Sequence, residues 1–257
     1  MLEVQHLFRS FRGIPAVQDV SFCIGAGEVV GFLGPNGAGK STTVKIITGL
    51  LRANEGKVLF EGRDICDDMV AFRGVLGYVP EEAQLYTYLS GLEYLQLVGR
   101  LRGMTEDLIE AKAMGLLKLL NLDGWQHTPI SAYSKGMRQR VLIVAALMHD
   151  PKLLIFDEPL SGLDVASGRL FKDLLDMLAA EGKAVLYISH VLEVVEQVCK
   201  RVIVIAKGRV LADAPPSELA GLMSLPNLES VFAQLVEQQD TRATAQQIVD
   251  VMRSSHV

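Results

Sequence analysis

The stretch that decides the fold is Glu28-Val29-Val30-Gly31-Phe32-Leu33 running into Gly34-Pro35-Asn36-Gly37-Ala38-Gly39-Lys40-Ser41-Thr42. Its first six residues read as a short buried strand. The next nine contain the pattern G-x-x-x-x-G-K-S/T, and Lys40–Leu50 then reads as a helix. Strand, glycine-rich loop and helix in that order form a cradle for phosphate. The glycines let consecutive backbone N–H groups face one concavity, and the helix adds the positive end of its dipole. In such a loop Lys40 reaches the β- and γ-phosphates of a nucleotide, and Ser41 ligates Mg2+.

Working outward, the first third continues as glycine-bounded strands, Val20–Ile24 and Lys57–Glu61 among them. From about Leu89 to Met148 the pattern turns helical. Ser90-Gly-Leu-Glu93 has the form of a capping box. Leu92, Leu95 and Leu97 lie near one face, Gly103 ends the run, and Thr105 is placed to cap a second helix. A third helix begins at Tyr133-Ser-Lys-Gly-Met-Arg-Gln-Arg140 and stops at Asp150-Pro151. The last third alternates again: strand Leu153–Phe156, helix Ala166–Ala180, strand Ala184–Ser189, helix Leu192–Cys199, strand Val202–Ala206. This alternation predicts a mostly parallel sheet flanked by helices, an α/β fold. Two short helix candidates and a polar tail, Gln238–Val257, follow Pro215-Pro216.

The apolar run Leu153–Phe156 delivers Asp157 and Glu158 to its carboxyl end, where open α/β sheets place ligands. Asp157 is placed to hold Mg2+ through water. Glu158 is placed to activate an attacking water. His190, at the end of another strand, is placed to touch the terminal phosphate. His6, His127, His149 and His256 have no comparable setting.

The chain has 257 residues, 49% hydrophobic and 21% charged, with a net charge of −5. That balance suits a sizeable core and disfavours broad nucleic-acid binding, which needs a basic footprint. Cys23, Cys66 and Cys199 are too few and too scattered for a metal or disulfide framework and read as reduced thiols. The amino terminus lacks a secretory h-region, and no run of about 18–20 apolar residues is present, so membrane work is expected to need another chain.

Taken with Leu153-Leu-Ile-Phe-Asp-Glu-Pro159, Ser161-Gly-Leu-Asp164 and the Tyr133–Arg140 segment, the chain resembles the ATP-binding subunit of ABC transporters. The resemblance runs from Leu2 to about Phe232. It implies a RecA-like P-loop NTPase: a mostly parallel core sheet, an N-terminal antiparallel β subdomain and an inserted helical subdomain. Residues 1–223 would form the ATPase domain, with the helical part at about 85–149, and 224–257 a short helical segment and polar tail. ATP and Mg2+ are the implied cofactors, bound along Gly34–Thr42.

The same resemblance assigns further residues. Phe11 matches the aromatic that stacks on adenine; an ordinary packed Phe is the alternative there, since Phe8 is nearby. Ser134 and Gly136, with Lys135 between them, match the place of the signature that faces the γ-phosphate held by a second subunit, and Asp164 matches the aspartate at the dimer seam. His190 matches the switch histidine. Glu81, after Gly77-Tyr-Val-Pro80, stands where the family usually has Gln and would approach Mg2+. Lys135 and Met137 replace the usual Gly and Gln. These departures resemble bacterial exporter ATPases whose membrane permease is a separate chain, as does Ser224–Phe232. The implied setting is a peripheral homodimer at the cytoplasmic face of the membrane. A soluble ABC ATPase outside transport, such as a cluster-assembly subunit, and a regulatory ATP-binding module are the alternatives.

Overall fold

The computed structural model describes residues 1–82, 84–222 and 230. The expected Ser224–Phe232 segment, apart from Ser230, and the tail beyond Gln238 lie outside the described residues.

Two sheets carry the fold. The first is antiparallel, in the order β2-β1-β4-β5, from β1 (Leu2–Phe11), β2 (Ile14–Ile24), β4 (Glu55–Phe60) and β5 (Arg63–Asp64). The second contains β3 (Val29–Leu33), β6 (Leu76–Val79), β7 (Leu153–Asp157), β8 (Ala184–Ile188), β9 (Arg201–Ala206) and β10 (Arg209–Ala214), ordered β10-β9-β3-β8-β7-β6. Its pairings are parallel except at the β9–β10 edge. Every residue of β3, β7 and β8 is buried, as near-continuous apolar strands covered on both faces should be. These three strands are neighbours, so their carboxyl ends open side by side.

Helices α1 (Lys40–Ile47) and α2 (Met69–Val75) share an apolar core with the antiparallel sheet and one side of the parallel sheet. A second core joins that sheet to α5 (Lys135–Leu147), α6 (Val165–Ala180) and α7 (Leu192–Val198). A third lies among α3 (Gly91–Leu101), α4 (Glu106–Leu119) and α5. Helix α8 (Pro216–Leu222) follows β10, and its Leu219 joins the second core.

Helix α5 serves two cores. Leu142, Ile143 and Ala146 face the sheet, while Val141, Val144, Ala145 and Met148 face α3 and α4. The helical layer is thereby packed onto the sheet through a helix buried on both sides. The capping box at Ser90 forms as expected: Ser90 Oγ accepts from the Glu93 N–H and Glu93 accepts from the Ser90 N–H. Thr105 takes the N-cap position of α4 as expected, but its hydroxyl makes no cap bond, and the acidic first turn, Glu106 and Asp107, suits the helix dipole.

Two arginines tie elements together. Arg201 on β9 bonds Glu28 at 2.7 Å, Asp213 at 2.6 Å and the Cys23 carbonyl at 2.5 Å, joining both sheets. Burial pushes the Glu28 carboxyl up, but bonds from Arg201 and the Gly25 N–H outweigh it and hold the group below its usual range. Arg102, just past α3, donates to the carbonyls of Arg73 and Leu76. Its guanidinium also lies 3.0 Å from Nε2 of His149, which donates to Leu76 O at 3.0 Å.

Candidate active site

At the carboxyl ends of β3, β7 and β8 lies a cavity of about 630 Å3, bordered by Phe11, Ala16, residues 35–42, Glu81, Asp157, Glu158 and His190. The loop after β3 turns there by backbone means. Gly39 has a φ of 106°, and a Cβ on it would stand 2.5 Å from the Ala16 carbonyl oxygen, so only glycine fits. Thr43 anchors the start of α1 by donating from its hydroxyl to Gly39 O at 2.9 Å. Lys40 folds back on the loop, its ammonium donating to the carbonyls of Gly34 at 2.5 Å and Pro35 at 3.0 Å. Burial pulls its pKa down, while Asp157, Glu158 and Glu81 work against that.

The acid pair divides in environment. Asp157 is 6% exposed, and its pKa is pushed up to about 7, first by burial and then by the carboxylates of Glu81 and Glu158. Lys40 and Lys45 offset only part of this. Glu158 breaks the strand with a φ of 50°, a costly conformation for a residue with a Cβ. Its N–H still bonds Ile188 O at 2.9 Å, so the turn is held at the sheet edge. Its carboxylate accepts from the His190 N–H and the ring Nδ1–H, both at 2.7 Å, and from the Ser189 hydroxyl at 3.2 Å. The ring of His190 is itself largely exposed, with a side-chain exposure of 79%.

Three carboxylates facing one ammonium leave the cavity short of positive charge, and a divalent cation fits that deficit. Among the described residues no three His, Cys, Asp or Glu side chains form a metal cage by themselves. Mg2+ does not need one, since it keeps waters and takes phosphate oxygens alongside one or two carboxylates. Ser41, Asp157 and Glu81 all border the cavity and have the oxygen chemistry for it.

A second cluster sits apart from the cavity. Ser134 caps α5 by accepting from the Met137 N–H at 3.2 Å. Lys135 donates to the Ser161 hydroxyl at 2.7 Å, and a Cβ on Gly136 would collide with the Gly162 carbonyl oxygen. Asp164 caps α6 by accepting from the Ser167 N–H at 2.9 Å and takes a 2.6 Å bond from Arg140. Of the residues read from sequence, Phe11, the loop, Glu81, Asp157, Glu158 and His190 therefore converge in one chain. Ser134, Lys135, Gly136 and Asp164 converge elsewhere on it and border none of that cavity.

Residues 17–161, more than half of the chain, match the model of the ABC transporter family. An uncharacterized ABC transporter ATP-binding protein of Bacillus subtilis, YhcH, is 39% identical over 213 residues, covering 82% of this chain and 68% of the relative. The chain belongs to the ABC transporter ATP-binding family. Another relative from the same organism, the linearmycin resistance ATP-binding protein LnrL, is 35% identical, covering 85% of this chain and 70% of its own length. Among solved structures, an ATP-binding subunit of an ABC transporter superposes with a TM-score of 0.86 at 31% identity, covering 91% of this chain and 99% of that one. A dimeric ATP-binding cassette in a post-hydrolysis state with ADP and Pi superposes at 0.78 with 26% identity, covering 84% and 98%.

The protein is accordingly an ABC ATPase with the P-loop NTPase fold expected of it. Sequence reading passed over several contributors to its site. Ala16 borders the cavity and closes over Gly39, and Ser189 holds Glu158. Arg140 fixes Asp164. Arg140 closes the quoted Tyr133–Arg140 stretch, and its charge one turn beyond the signature was the available signal. Ala16 and Ser189 carry no signal, because their roles come from position alone.

Proposed function

We propose that this ABC ATPase binds Mg-ATP between two copies of itself and uses hydrolysis to drive a separate membrane permease, in the export direction. The observation that carries the reading is the split site. Phosphate loop, acids and histidine occupy one cavity, while the signature residues and Asp164 occupy another surface of the same chain. A symmetric pair brings each copy's second surface over the other copy's cavity, which completes two equal sites.

In this arrangement Gly34–Thr42 hold the phosphates with backbone N–H groups, and the Lys40 ammonium leaves the loop carbonyls for phosphate oxygens. Ser41, Asp157 and Glu81 would hold Mg2+, which neutralises charge on the transferring phosphate. Glu158 takes the proton of the attacking water, and His190 holds Glu158 and reads the terminal phosphate. Phe11 stacks on the base. Ser134, Lys135 and Gly136 of the second copy close over the γ-phosphate, with Asp164 at the seam. Residues 1–223 act as the ATPase domain, and about 85–149 form the lever that carries the permease.

No helix among the described residues is long and apolar enough to cross a membrane. The family's transport role supplies the permease in this proposal. Export is supported by the Glu81, Lys135 and Met137 departures and by a relative named for resistance. The test is Glu158→Gln. The variant should bind ATP and dimerise with it, while turnover falls roughly 100-fold or more because the base is lost and the phosphate cradle remains. Unchanged turnover would remove Glu158 from this role.

A further inference from the structure

We propose that Arg9 is a positioning residue for the nucleotide base, acting through Phe11; this rests on reading Phe11 as the base-stacking ring. The guanidinium carbon of Arg9 lies 4.9 Å from the centre of the Phe11 ring, within cation–π range. Phe11 borders the cavity and Arg9 does not. In this proposal the cation takes the ring face away from the cavity and leaves the other face for the base.

Phe11 needs such support. It ends β1, it is 45% exposed, and it joins neither sheet core. An edge ring of this kind loses rotamer freedom when a base stacks on it, and that loss weakens binding. Arg9 is itself held in place. Its Nη1 donates to the Arg52 carbonyl at 3.1 Å. The neighbouring backbone is pinned from both sides by Asn54, whose side chain accepts from the Ser10 N–H and whose own N–H donates to Phe8 O, each at 2.8 Å. Arg9 Nε is buried with no hydrogen-bond partner among the described residues. A fixed cation behind the ring holds it in one orientation. It also draws π density to the outer face, which makes the cavity face a better partner for an electron-rich purine.

The expected effect is on affinity alone. Arg9→Met keeps most of the apolar stem and removes the charge. It should raise the KM for ATP roughly two- to five-fold with kcat unchanged. Inhibition by inorganic tripolyphosphate, which has no base, should be unaffected. Arg9→Lys should recover part of the loss. In a Phe11→Ala background, where KM is already raised, Arg9→Met should change nothing further.

An unchanged KM in Arg9→Met beside a raised KM in Phe11→Ala would overturn this inference and leave the base-stacking reading standing. Equal weakening of ATP and tripolyphosphate would overturn it too, by placing Arg9 at the phosphates. An unchanged KM in Phe11→Ala would remove both the stacking reading and the inference that rests on it.

Discussion

Asp157 presents the sharpest conflict at the residue scale. Buried beside two other carboxylates, it has its pKa pushed up to about 7, yet the proposed role against Mg2+ needs it ionised. The sign follows from linkage. Below about pH 7 the nucleotide-free site holds a proton there, and the bound cation favours its loss. Mg-ATP binding near pH 6 should release up to about one proton per site, and binding near pH 8.5 close to none from this group. Titration calorimetry in two buffers of different ionisation heat measures the difference, and Asp157→Asn should abolish it. Equal release at both pH values would exclude Asp157 as the source. This acid was legible in the sequence but its proton was not, because the proton depends first on burial and then on Glu81, which arrives from a loop 76 residues earlier. Glu158 is similar: its place was legible, but its positive φ and its bonds to Ser189 and His190 were not.

Between elements, the junction of α3, α5 and β6 is held by Arg102 and His149. The imidazole donates through Nε2 to Leu76 O, and its Nδ1 is buried without a partner. Protonation would place a second buried donor beside the Arg102 cation. Burial and then Arg102 accordingly pull the His149 pKa down to about 4. Between that value and the ordinary histidine range the unfolded chain binds a proton that the folded chain refuses. Stability is therefore lost as pH falls through this window. Between about pH 7 and 5 the wild type should lose roughly 1–2 kcal/mol more than His149→Gln in urea unfolding. Parallel losses would show that His149 does not carry the pH dependence. No role for this histidine was legible in the sequence, since nothing near it there reveals Arg102 or Leu76. The elements themselves were more legible. The buried runs of β3, β7 and β8 and the Ser90 capping box stood out by apolar continuity and cap chemistry. Strands β1 and β10 were passed over, because their mixed burial gives no clean run, and the two-residue β5 exists only through its pairing with β4.

For the whole molecule, the loop cavity and the cluster of Ser134, Lys135, Gly136 and Asp164 lie apart on one chain, and in the proposed dimer each is half of a site. The parallel sheet explains one half: three adjacent strands end together and set Lys40, Asp157, Glu158 and His190 around one cavity. Helix α5 explains the other, since it starts at Ser134 and is buried against both the sheet and the helical layer. The measurement that tests this most directly is complementation in solution. Lys40→Ala breaks the cavity half, and Ser134→Arg breaks the covering half. Each variant alone should be close to inactive. Mixed in equal amounts, half of the dimers should carry both variants, and one of their two sites is then intact. The mixture should recover ATPase activity up to about one quarter of wild type. A mixture as inactive as its components, or full turnover by Ser134→Arg alone, would contradict a site shared between two copies.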